Sequence, residues 1–249
     1  MSWRDALEEA LGGAPEVVLE VSGAEILGGH VTHEDAVRGW SALAEHAGAQ
    51  GRPVILGMAR DVTEHVDRAV GSTAWLERGW VEHAGRVYES LGEGVSLADL
   101  NDEEEGPGAL RAASFGATTL PTGPLEASEL MVGVGTVGAA LTLAWSPAQA
   151  WWELPIALRF GGVDDNPPPW VHAGLLRKWE EEWGAEVVTL GRDVMELRVR
   201  RAPSTWPAAF ELAQEQLDFC PALVRRGVGT LKNLASGLKT ARVWTFVWV

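Results

Sequence analysis

Residues 159–188 read RFGGVDDNPPPWVHAGLLRKWEEEWGAEVV. The stretch reads as a strand end, a glycine turn, an acidic loop, three prolines, an amphipathic helix, a glycine stop and a new strand. Pro167, Pro168 and Pro169 cannot lie inside a helix, yet the last can stand at its first turn. Val171, Leu175, Trp179 and Trp183 recur every fourth residue, with Leu176 beside them, and form one apolar stripe. Arg177, Lys178, Glu180, Glu181 and Glu182 fill the other faces. Gly184 ends the helix, because glycine takes the left-handed conformation without a Cβ penalty. Residues 185–190 then read as a buried strand and Gly191-Arg192-Asp193 as a turn. Residues 194–199 return as a second strand in which Glu196, Arg198 and, just beyond, Arg200 alternate.

Downstream, Ser204 or Thr205 caps a helix with Pro207 in its first turn. Phe210, Ala213, Leu217 and Cys220 mark its expected buried face, and Pro221 stops it. Thr230 caps a last helix over residues 231–238. The chain ends on VWTFVWV, apolar on both faces, a pattern that belongs in the middle of a sheet or beneath helices. The stripe predicts that Trp179 and Trp183 are buried against a sheet containing this strand.

Upstream, residues 2–11 read as a short helix with Trp3, Leu7 and Leu11 on one side, and residues 16–22 as a strand. Thr32 and Asp35 have capping-box spacing ahead of a helix whose apolar face is Ala36, Trp40, Leu43 and Ala47. Residues 53–58, PVILGM, form a compact buried strand. Strand, helix and strand suggest a βαβ-like unit. Residues 61–91 read as helix in two pieces, broken near Gly71. An acidic glycine-proline loop at 101–108 follows, and residues 112–128 stay loop-like. Residues 130–137, 140–145 and 154–160 read as strands.

The whole chain has 249 residues, 46% of them hydrophobic, and a formal net charge of -15. Its charge is lopsided. Residues 1–150 hold 8 Arg, no Lys and 23 Asp+Glu, whereas residues 151–249 are balanced at 12 against 12. Such a first half repels nucleic acid and anionic membranes and attracts basic proteins. No apolar run approaches the ~18 residues of a membrane span, and the N-terminus lacks a secretory pattern. A single Cys220 excludes an intrachain disulfide and a cysteine metal cluster. The expected location is the cytoplasm. The 13 Trp, against 5 Phe and 1 Tyr, fall mostly on helix stripes and are expected to fill the core.

The C-terminal ninety or so residues resemble an uncharacterised bacterial family, the domain of unknown function four-two-five-three. The resemblance rests on Phe160-Gly161-Gly162, Pro167, Leu176-Arg177-Lys178-Trp179, Gly184-Ala185-Glu186, Glu196-Leu197-Arg198-Val199, Cys220-Pro221 and Trp244-Thr245-Phe246-Val247-Trp248. Two upstream pieces, at 36–40 and 53–57, resemble longer members. The resemblance implies kinship and fold, and no activity. Members commonly carry Trp-Asn-x-Cys-Pro after the two glycines, where this chain has Val163-Asp164-Asp165-Asn166-Pro167. An Asp often follows the Cys-Pro pair, where this chain has Ala222, and a Gln often precedes the next glycine, where it has Arg226. Polar positions that could serve chemistry in relatives are replaced here.

Four constellations could carry chemistry. Residues 133–138, GVGTVG, match Gly-x-Gly-x-x-Gly, but AALTLAW follows and reads as a strand where a dinucleotide site needs a helix. His30 and His33 stand beside Glu34 and Asp35, yet Thr32 and Asp35 are explained by capping. Cys220 ends an apolar stripe before a proline and reads as a buried thiol. The fourth is the loop Asp164, Asp165 and Asn166 with Trp170 and His172 one turn into the next helix. Paired carboxylates can act as acid and base or hold a hard cation. In the plainer reading they face the unpaired N–H groups of the helix start, near Trp170 to His172.

These readings predict an α+β fold: a mixed β-sheet with helices packed on it, one compact unit with two subregions. Residues 1–150 form an acidic N-terminal α/β subregion and residues 151–249 the C-terminal α+β domain. The expected function is a non-enzymatic, cytoplasmic interaction module that binds a basic protein partner through residues 1–150, in the manner of immunity proteins. No metal, cofactor, nucleic acid or membrane is expected. Asp164, Asp165, Asn166, Trp170 and His172 are the candidate binding residues. The alternative is a hydrolase or small-ligand enzyme built on Asp164, Asp165 and His172.

Overall fold

The computed structural model describes residues 1–21, 23–62, 74–93, 120, 124–131, 140–162 and 165–248. The glycine-rich run 133–138, the acidic loop 101–108, the break near Gly71 and Asp164 lie outside the described residues. So does most of the strand expected at 130–137.

The helices are α1 (Trp3–Leu11), α2 (His33–Ala44), α3 (Ala74–Gly92), α4 (Leu154–Ala157), α5 (Pro169–Trp183), α6 (Trp206–Phe219) and α7 (Leu231–Leu238). The strands are β1 (Glu16–Val21), β2 (Ala24–Val31), β3 (Arg52–Met58), β4 (Leu141–Ser146), β5 (Glu186–Leu190), β6 (Val194–Arg198) and β7 (Val243–Val247). The strands form one mixed sheet in the order β1-β2-β4-β3-β5-β6-β7. The fold is α+β, as the sequence predicts.

A split βαβ unit is present, but its first strand is β2 and not the strand at 16–22 that the sequence offers: β2, α2 and β3 make the unit, and β1 runs antiparallel to β3. β2 and β3 both pair antiparallel with β4, which lies between them. β3 then pairs in parallel with β5 through Ile55 and Thr189. One sheet therefore runs through residues on both sides of position 150.

Local chemistry explains the helix starts. Thr32, Thr205 and Thr230 each accept an N–H three residues on, from Asp35, Ala208 and Asn233, which satisfies a donor that the first turn leaves open. Ser2 and Asp5 form a reciprocal capping box on α1. Gly184 ends α5 at φ 63.

The stripe on α5 is the core of the C-terminal half. Val171, Leu175, Leu176 and Trp179 are buried. Trp179 stacks on Phe246 at 5.4 Å and meets Trp244 edge-on at 5.5 Å. Trp183 is only half-buried.

Besides Trp183, which the stripe predicts to be buried, the structure differs from the sequence reading in five places. β2 occupies residues 24–31, a stretch to which the sequence reading assigns no element. Gly28 is there for space: a Cβ would lie 2.4 Å from the Leu143 carbonyl of the adjacent strand. The strand expected at 154–160 is instead the short helix α4, with Pro155 in its first turn. β7 stands at the end of the described sheet and not in its middle, so of the two placements expected for it the one beneath a helix holds, and for one face only. Its Trp244 and Phe246, with Trp248 just beyond, are buried on one face, whereas Val243, Thr245 and Val247 are half-buried. The buried face of α6 is Ala209, Leu212, Ala213, Gln216 and Phe219, so Phe210 and Leu217 sit at its margin.

The fifth difference is the polar face of β6, which is buried. Glu196 is fully buried and accepts from the Met131 amide at 2.5 Å, Thr189 Oγ1 at 2.9 Å and Thr245 Oγ1 at 3.4 Å. Arg198 pairs with Glu186 at 2.5 Å and lies over the Trp40 ring of α2. Alternation along β6 puts these groups opposite Leu197, which pairs with Trp244. Helices α2 and α5 therefore cover opposite faces of the sheet.

Candidate functional site

The loop from Arg159 to His172 is shaped by backbone chemistry. Arg159 and Phe160 donate to the carbonyls of Ile156 and Pro155 at 3.2 and 2.9 Å. This is the double bond of a Schellman stop, and Arg159 takes φ 52 where glycine is usual. Gly161 and Gly162 follow at φ 97 and φ 77. The Gly162 amide closes the loop on the carbonyls of Asn166 and Pro167, at 3.0 and 2.9 Å. Pro168 is the N-cap of α5 and offers no side-chain bond. The amides of Val171 and His172 both turn to the Pro168 carbonyl, at 3.0 and 3.3 Å, the place where the sequence predicts a carboxylate.

Of the four candidate residues that the structure describes, two meet. His172 is fully buried, and its Nε2 lies 2.7 Å from Asn166 Oδ1, itself buried. An amide oxygen only accepts, so the imidazole Nε2 donates. The rings of Phe160, Phe219 and Trp248 surround the imidazole at 5.0 to 5.2 Å. Burial pushes the His172 pKa down to about 3, against the pull of the Pro167 carbonyl. The ring is neutral at physiological pH. Asp165 faces solvent, and Trp170, half-buried, turns towards Trp80 and His83 of α3, each at 5.8 Å.

The other sequence candidates are engaged in structure. Asp35 donates its amide to the N-cap Thr32, accepts from the Thr32 hydroxyl at 2.7 Å and forms an ion pair with Arg38. His30 Nδ1 meets Thr142 Oγ1 at 3.0 Å, and burial lowers the pKa of His33. Among the described residues no cluster of three His, Cys, Asp or Glu side chains could hold a metal ion. Cys220 is buried and donates to the Val247 carbonyl at 3.4 Å, and burial raises its thiol pKa. A protonated, enclosed thiol is a poor nucleophile.

Two surfaces carry the remaining chemistry. The first surrounds the β1–β2 hairpin. Glu8 and Glu9 of α1, Glu16 and Glu20 of β1, Glu25 of β2 and Glu45 after α2 are exposed, and none has an ion-pair partner among the described residues. Glu20 lies directly opposite Glu25 in the antiparallel register. Like charges so placed oppose strand pairing.

The second surface is a cleft of about 430 Å³ between α5 and α6, lined by Lys178, Glu182, Trp183, Ala208, Glu211, Leu212 and Glu215. Lys178 Nζ bridges the walls, at 2.6 Å from Glu215 and 3.1 Å from Glu182. Glu215 also accepts from Trp179 Nε1 at 2.5 Å. Burial works against the Lys178 charge, but Glu215 and Glu182 together raise its pKa, so the ammonium persists. Sequence reasoning missed this cleft. The spacings Lys178/Glu182 and Glu211/Glu215 each mark one helix face, but nothing local says that the two faces meet.

No helix of the described residues is long and apolar enough to cross a membrane. Neither the curated proteins nor the solved structures compared with the chain gave a match. The C-terminal part, residues 142–248, from within β4 through β7, matches the family model described as a domain of unknown function, DUF4253, the family that its glycine pair, helix and terminal strand resemble.

Proposed function

We propose that the protein is a non-enzymatic, cytoplasmic interaction module that binds a basic protein partner through the acidic surface around β1 and β2. Immunity proteins that neutralise basic toxins are the class it fits. The observation that carries the reading is the Glu20–Glu25 pair within a field of carboxylates that have no ion-pair partner among the described residues. Solubility needs charge but not charges set against each other across a strand pair, an arrangement that costs up to about 1 kcal/mol. A cationic partner relieves that repulsion and gains steering from the -15 net charge. The state of His172 and Cys220 supports the same reading, since the groups best suited to acid–base or nucleophilic work are enclosed and engaged in packing.

The test is affinity isolation from the native host with the intact chain and with a Glu16→Lys, Glu20→Lys, Glu25→Lys variant. The intact chain is expected to retain a protein of net positive charge near 0.1 M salt and to release it towards 1 M, as the screening length falls from about 10 Å to about 3 Å. The variant is expected not to retain it. Retention of the same protein by the variant, or of a neutral protein indifferent to salt, would overturn the proposal.

A further inference from the structure

The α5–α6 cleft has the composition of a recognition site for a different ligand. It presents three carboxylates, Glu182, Glu211 and Glu215, against the single ammonium of Lys178. Glu215 has both oxygens committed, one to Trp179 Nε1 and the other to Lys178 Nζ. Glu182 gives one oxygen to Lys178. The uncommitted acceptors are therefore the second oxygen of Glu182 and the Glu211 carboxylate, which is exposed and has no ion-pair partner among the described residues. The rest of the lining is Trp183, Ala208 and Leu212.

An anion gains nothing here, because the one cation is already held by two carboxylates. A compact hydrated cation would leave the apolar lining uncovered. A cation on an apolar stem satisfies both: its head lies between Glu211 and Glu182 while its methylenes cover Leu212, Ala208 and the Trp183 indole. The volume is within the usual range for small-molecule sites. We propose that this cleft binds an alkylammonium or alkylguanidinium group, either a free amine or the side chain of a lysine or arginine. The site is separate from the acidic surface around β1 and β2, and each can fail without the other.

Lys178 makes the proposal directional. Its ammonium occupies part of the same carboxylate set, so it competes with the ligand. Removing its charge frees a carboxylate oxygen on each wall and strengthens binding. A purely structural role for the Lys178 bridge predicts no such gain.

Titration calorimetry of the intact chain tests this with cadaverine as the free amine, Nα-acetyl-lysine methylamide as the side-chain form and pentanol as the neutral control. Both amines, or the one that matches the natural source, are expected to bind at one site, and pentanol is not. The tighter of the two amines assigns the source. Glu211→Gln and Glu182→Gln should each weaken binding about tenfold, the scale of one lost charge contact, and Lys178→Met should tighten it. Thermal melts of each variant confirm that it is folded, and the Glu211 substitution lies on the exposed surface, where the fold does not depend on it. The Glu16, Glu20 and Glu25 variant should bind the probes as the intact chain does. No binding of either amine, binding that the glutamate variants leave unchanged, or equal binding of pentanol would overturn the proposal.

Discussion

Truncating Trp179 to alanine is the most demanding test of how the C-terminal half is held together. The side chain is fully buried, stacked on Phe246 and edge-on to Trp244 and Phe219 at 5.4 to 5.5 Å. A buried indole removes on the order of 150–250 Å² from water, and at about 25 cal/mol per Å² this comes to roughly 4–6 kcal/mol. Measured truncations of large aromatics cost about 3–5 kcal/mol. For a chain of this length each kcal/mol lowers the thermal midpoint by about 2–4 °C, so Trp179→Ala should lower it by about 6–20 °C. Trp179→Phe separates the ring from its donor. It keeps the stacking but strips Glu215 of the indole N–H, a loss of about 1.5–3 kcal/mol for a bond to a charged group, at the low end because Glu215 still holds Lys178. Adding Glu215→Gln to Trp179→Phe should then cost less than the two changes summed, because they share one bond. Calorimetric melts of four variants, Trp179→Ala, Trp179→Phe, Glu215→Gln and the double change, measure all of this. A midpoint unmoved by Trp179→Ala would refute the packing, and equal losses for alanine and phenylalanine would refute the role of the ring.

Two further predictions follow from the loop before α5. With its pKa lowered to about 3, His172 binds a proton in the unfolded chain at a higher pH than in the folded one. Its contribution is complete above the unfolded value near 6.5 and is lost as pH falls from there towards 3, by roughly 1.4 kcal/mol per pH unit. Melts from pH 7 to pH 4 should show this slope, and His172→Gln should flatten it, whereas an unchanged slope would place the ring in solvent. Gly161→Ala should cost more than about 1 kcal/mol, because φ is 97 and the new Cβ would lie 2.1 Å from the Pro167 carbonyl. A midpoint as high as that of the unaltered chain would show that the loop has another conformation.

Much of the frame is legible because its causes are local. Thr32, Thr205 and Thr230 announce helices by the oxygen they offer three residues ahead, and the i, i+4 stripe of α5 names its own buried face. What escaped depends on partners distant in sequence. The need for a glycine at position 28 shows only once Leu143 is placed against it. The alternation at Glu196 and Arg198 implies a wet face until Thr189, Thr245, Met131 and Trp40 supply partners for both groups. At the loop, the sequence named Asn166 and His172 among five candidates without pairing them, and it could not say that the two face inward, since the aromatic enclosure comes from α6 and the end of the chain. The cleft needs α5 and α6 side by side, and no periodicity within either helix reports that.

The position of β3 bears on how the chain is made. Its two hydrogen-bonded neighbours are β4 and β5, and both are synthesised later. β4 leaves the ribosome roughly 80 residues after the end of β3, an interval of about 4–16 s at the usual rate of synthesis, and β5 later still. The β1–β2 hairpin can form at once, because its partner is next to it in the chain. The run PVILGM must wait with both edges open. A nascent chain in that interval exposes the apolar run 54–58, with charge and proline only at its ends, in Arg52, Pro53 and Arg60, so a chaperone that holds extended apolar segments would have a target there. The same geometry bears on fragments. A piece beginning at residue 142, where the family match starts, carries β5 and most of β4 without the strand that stands between them. It would leave a slot one strand wide, about 9.5 Å from β4 to β5, which a β3 supplied on a separate peptide could fill.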